Sequence, residues 1–98
     1  MSATSISSGL ISAAATTVIV ARKSRLNALA VISDGTNLAT VVVYDNASAA
    51  SGTVLAKGVA TSSCPTVSLV FENPVRAEFG ITISVVGTGS GAVVHYDA

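Results

Sequence analysis

The chain has 98 residues, half of them hydrophobic but only four aromatic (two Phe, two Tyr), and its five cationic side chains are balanced by five anionic ones. That length allows one domain with one core. Charged residues are 10% of the total, against about 25% in an ordinary soluble domain, which leaves no basic stripe for nucleic acid and no polybasic patch for a membrane surface.

Taken in order, Met1 to Ser8 reads as a small, Ser-rich, flexible N-terminal arm. Residues 9–98 read as a single β-sandwich domain. Gly9 to Ala21 is apolar enough to resemble the h-region of a signal peptide, but its basic cluster follows it, at Arg22, Lys23 and Arg25. A signal peptide carries that charge in front, so the segment is read as mature sequence, too short and too polar to span a bilayer. A first strand is expected at Leu10–Ala14 and a second at Thr17–Ala21. The basic cluster is read as a solvated loop, with contact to an acidic partner surface as the sharper alternative.

Leu26–Ser33 and Ala39–Asp45 are expected to pair as a hairpin across Asp34-Gly35-Thr36-Asn37, because Asp and Gly supply turn geometry and a positive φ is expected at Gly35 or Asn37. After the small-residue loop Asn46–Gly52 comes a strand at Thr53–Val59. Val67, Leu69 and Phe71 alternate with Ser68, Val70 and Glu72, the period of a strand with one apolar face. Asn73-Pro74 is expected to break that ladder, since proline donates no hydrogen bond. That would leave Val75–Phe79 as a connection or edge strand. Ile81, Ile83 and Val85 mark another strand, Gly87 to Gly91 a flexible turn, and Ala92–Tyr96 the last strand. Seven or eight short β-branched runs separated by turn residues predict an all-β, small antiparallel β-sandwich, Ig-like or jelly-roll-like.

No catalytic, cofactor-binding or metal residue emerges. Cys64 is the only cysteine and His95 the only histidine, so no intrachain disulfide can form. A thiolate–imidazole pair would have to be assembled from distant parts of the chain, with no local signature for it. Asp34-Gly35-Thr36-Asn37 lacks the further oxygen ligands of a calcium loop. Gly87, Gly89 and Gly91 precede a strand rather than the helix that a phosphate cradle needs. Tyr44 and Tyr96 fall inside strands, as packing residues rather than sugar platforms.

Ser33 to Asn37, Ala39 to Ser48, Ser51 to Leu55, and Phe71 to Ala77 followed by Gly80-Ile81 are similar to segments of small structural proteins of tailed bacteriophages, of the capsid decoration (cement) type. The resemblance covers about the C-terminal two-thirds. It implies a non-enzymatic virion component made in the host cytoplasm. Its expected partners are further copies of itself, probed first as a trimer because of the three-fold positions of an icosahedral shell, and the major capsid protein or another virion protein. A tail, neck or fibre component acting as a host-surface adhesion module is the alternative. Nucleic acid and membrane are not expected partners, and no cofactor is expected. Charge depletion independently points to association. Val41-Val42-Val43 and Val85-Val86 place apolar groups on both faces of their strands, and only one face of each can meet the core.

Overall fold

Nine strands fill most of residues 6–12 and 15–97, the part of the chain described by the computed structural model, and no helix occurs among these residues. They are β1 (Ile6–Ser7), β2 (Ile11–Ser12), β3 (Ala15–Val20), β4 (Ser24–Ile32), β5 (Ala39–Asp45), β6 (Thr53–Ala60), β7 (Thr66–Ala77), β8 (Ile81–Val86) and β9 (Gly91–Asp97). Alternation explains most of them. Val41 and Val43 on β5, Ile81, Ile83 and Val85 on β8, and Ala92 and Val94 on β9 face inward and are essentially solvent-free. On β4 the buried set is Leu26, Leu29 and Val31, its period displaced by one residue at a register shift between Leu26 and Ala28. Val67, Leu69, Phe71 and Val75 of β7 pack against this core from the side. Each fully buried Val, Leu or Ile contributes about 1.5–3 kcal/mol before chain entropy is subtracted.

The strands form two antiparallel sheets. One runs β1/β2–β9–β4–β7 and the other β3–β8–β5–β6. β1 and β2 lie along the same edge of β9, opposite Tyr96–His95 and Ala92–Gly91 respectively. Between them, Ser8 donates its amide to the Val94 carbonyl at 2.8 Å and its Oγ accepts the Val94 amide at 2.9 Å. They are therefore one edge strand interrupted by a bulge. Counted so, eight strands alternate between the sheets at every connection except β5–β6. Of the two sandwich types expected, this connectivity is that of the jelly roll.

The outcome corrects two expectations. β4 and β5 do not form a hairpin. β4 already has β7 on one side and β9 on the other, so no edge remains for β5, and the two strands face each other across the core from different sheets. The positive φ does fall at Gly35 (91°), in an arch rather than a hairpin turn. Among the described residues the only hairpin formed by consecutive strands is β5–β6, closed by the Asn46–Gly52 loop.

Asn73-Pro74 does not end its strand either. β7 runs to Ala77, with Leu26 opposite Val75 and Ala28 opposite Val70, so residues 71–74 bulge out against Asn27 alone. β7 is an edge strand, where a proline costs no ladder bond on its open side and a bulge absorbs the extra residues. Of the N-terminal arm, Ile6 and Ser7 are paired with β9; Met1–Ser5, like Ala13 and Ala14 of the first expected strand, lie outside the described residues.

Candidate interaction surface

The outward face of the β3–β8–β5–β6 sheet carries little charge, whereas that of the other sheet is uncharged in its middle and ends in a row of Arg76, Arg25 and Asp97. On the β3–β8–β5–β6 sheet, register places Lys57, Val42, Ser84 and Thr16 in one row across the face. Val59, Thr40 and Val86 form the next row on one side, and Val54, Tyr44, Thr82 and Val18 on the other, where Thr82 is fully buried under the Asn46 carbonyl. Val86 is 57% exposed and Val54 52%. Lys57 is the single charge among the described residues of this face. The outer face of the other sheet carries Val70, Ala28 and His95 in one row and Ser68, Ala30 and Val93 in the next; Val70 is 79% exposed. Valine and threonine suit a pleated surface sterically, but they give water few polar contacts. Exposed valines among threonines on a sheet face with one described charge are compatible with an association surface.

Charge is instead gathered at one end of the sandwich. Arg22 and Lys23 lie in the β3–β4 turn, Arg25 at the start of β4, Asp45 at the end of β5, Arg76 and Glu78 at and after the end of β7, and Asp97 at the end of β9. Arg25 Nε contacts Asp97 Oδ1 at 2.8 Å, and Arg76 Nε contacts Glu78 Oε1 at 3.4 Å. These pairs are partly or largely solvated and hold little stability by themselves. Asp45 has a different job. Its carboxylate accepts the backbone amides of Glu78 (3.1 Å) and Phe79 (2.9 Å), bracing the β7–β8 turn from another strand.

At the opposite end, Asp34 holds its own arch. Its Oδ1 accepts the amides of Thr36 and Asn37, each at 2.8 Å, and its Oδ2 accepts Asn37 Nδ2 at 2.9 Å. The Asn37 amide, then the Thr36 amide and the Asn37 side chain, keep the Asp34 carboxyl below its ordinary value of 3.8. The donors are this loop's own groups, which is turn chemistry.

The residues weighed for catalysis are not brought together. Cys64 is an exposed free thiol in the loop before β7; its amide bonds to the Thr61 carbonyl and hydroxyl, and its Sγ lies 3.7 Å from the Thr66 carbonyl. His95 stands exposed on β9 beside Ala28. Thr66 pairs with Ile32, so thiol and imidazole are offset by about four residues along β4, roughly 13 Å at the strand rise. Gly87–Ser90 forms a tight turn, the Ser90 amide donating to the Gly87 carbonyl at 3.1 Å, and leads directly into β9. Tyr44 is half-buried, and Tyr96 packs against the core.

Sequence reasoning missed Phe79, which is 67% exposed, because the carboxylate that braces its turn lies more than thirty residues earlier. No protein-family model matches this chain, and neither a curated protein nor a solved structure does.

Proposed function

We propose that this protein is a non-enzymatic structural subunit of a tailed-bacteriophage particle, a capsid decoration protein that self-associates and clamps neighbouring shell proteins. The observation that carries the reading is the contrast between the outer face of the β3–β8–β5–β6 sheet, with Lys57 as its one described charge, and the charge-bearing end of the sandwich. A subunit that buries flat apolar faces against copies of itself keeps its charges for a rim or a second partner. The jelly roll is used in viral shells, and also in lectins and cupins, so the fold by itself does not choose among them. The likeness of Ser33–Asn37, Ala39–Ser48 and Phe71–Ala77 to small phage structural proteins supports the first of these.

Magnitude bears on the oligomer. Four strands about 4.8 Å apart and roughly six residues long, at about 3.3 Å per residue, span roughly 380 Å² in plan. A standard interface takes about 800 Å² from each partner. One face therefore supplies about half of what a stable face-to-face dimer needs. A subunit that uses two patches covers roughly twice that area in total, and such an assembly closes into a ring only where the two contacts turn through the ring angle.

The test is a reconstruction of the particle, or antibody labelling of intact virions. Density or label distributed over the shell is expected. Label confined to the tail would replace decoration by the adhesion reading, and absence from the particle would end both.

A further inference from the structure

We infer that Phe79 is a preorganised anchor with which this chain docks into an apolar socket, rimmed by acidic side chains, on a neighbouring protein of the particle. The inference rests on the virion reading above and names the contact that it leaves open.

Phe79 is the one exposed aromatic residue; Phe71, Tyr44 and Tyr96 are half-buried. It is held in place from both sides. Asp45 grips its amide and that of Glu78. The following Gly80 has φ 156° and is wedged so tightly that an added Cβ would collide with the Val20 carbonyl oxygen and meet the Asn46 carbonyl oxygen at 3.1 Å. Thr82 Oγ1 donates to that same Asn46 carbonyl at 2.8 Å. Three loops from different strands thus converge under one exposed ring. An exposed aromatic normally costs solubility, and ordering its loop costs entropy. Here the ordering is done before any partner arrives, as in high-affinity anchors.

The surroundings identify the partner's chemistry. Gly80 packs against Val20 and Ala21, and Arg22 and Lys23 are the next two residues of that turn. Both are exposed, and neither pairs with a carboxylate among the described residues. Arg25 and Arg76 are already matched by Asp97 and Glu78. An apolar centre, a ring of matched charges and two unmatched cations describe a protein docking site whose complement is apolar in the middle and acidic at the edge. Nucleic acid would need a continuous cationic track with several stacking rings. A bilayer surface would need more than one apolar anchor.

The test uses phage shells assembled in cells lacking the gene for this chain, with purified full-length protein added back. Wild type should bind. Phe79→Ser, which leaves the core intact and should keep its circular dichroism spectrum and melting temperature, should bind at least about thirtyfold more weakly. Arg22→Glu/Lys23→Glu should lose about tenfold at low salt and approach wild type as salt screens the contact. Wild-type affinity in Phe79→Ser would overturn the anchor while leaving the virion reading in place. Unchanged low-salt binding by the double variant would overturn the acidic rim. Wild-type protein that binds no shell would overturn the decoration reading, and the anchor with it.

Discussion

Asp34 and Asp45 cap backbone amides at opposite ends of the same sandwich, over very different sequence distances. Asp34 reaches two and three residues ahead, to Thr36 and Asn37. Asp45 reaches 33 and 34 residues ahead, to Glu78 and Phe79. The first hydrogen-bonds within its own loop, while its side chain also packs against Gly89 of the β8–β9 turn. The second joins the end of β5 to the β7–β8 turn, two elements with no ladder bond between them. A local brace adds to turn propensity, whereas a remote one adds to tertiary cooperativity, so damage at the two ends should differ in size and in reach.

The largest effect should come from Gly80→Val. The substitution introduces a Cβ where carbonyl oxygens already stand and asks a β-branched residue for a φ that only glycine takes easily. A loss of about 3 kcal/mol or more is expected, read as the denaturation midpoint. Asp45→Ala should follow, at about 1–2 kcal/mol. Its amides can still find water, but the tie between β5 and the turn is gone. Hydrogen exchange should quicken at Glu78 and Phe79 in this variant, and an unchanged rate there would show that the carboxylate does not brace the turn. Gly35→Val should cost about 1 kcal/mol, from its positive φ alone. Nothing lies within 4 Å of the Cβ it would add, so a cost equal to that of Gly80→Val would erase the distinction between the two ends.

The smallest effect is a pH dependence. The Asp34 carboxyl is depressed below 3.8 by the Asn37 and Thr36 amides and the Asn37 side chain. A depressed folded value contributes stability that is present above the unfolded value and is lost as pH falls through the folded one. Melting temperature measured from neutral to strongly acid pH should therefore fall less below about pH 4 in Asp34→Asn than in the wild type. Parallel curves would mean that the arch draws nothing from the charge.

The same contrast explains what the amino-acid order revealed. Ala39–Asp45 was legible to the residue because Val41 and Val43 alternate between a turn and an Asx loop, and those signals are local. The positive φ at Gly35 was legible for the same reason. Alternation states which side chains share a face, but it does not name the neighbouring strand. β4 and β5 read equally well as a hairpin or as opposed strands, and only the occupation of both β4 edges decides between them. Pro74 was misread because its cost depends on whether β7 is an edge, a tertiary fact. The charge-poor outer face was visible as Val41-Val42-Val43 and Val85-Val86, while the Phe79 turn was hidden by its remote brace.

The reading of the outer faces as association surfaces is tested most directly by the mass of the purified protein, measured by light scattering at micromolar concentration in low and in high salt. Screening acts on charges and not on apolar burial. The account predicts the same homo-oligomer, a trimer, in both conditions. A monomer in both would contradict self-association, and an oligomer that dissociates in high salt would contradict its apolar basis.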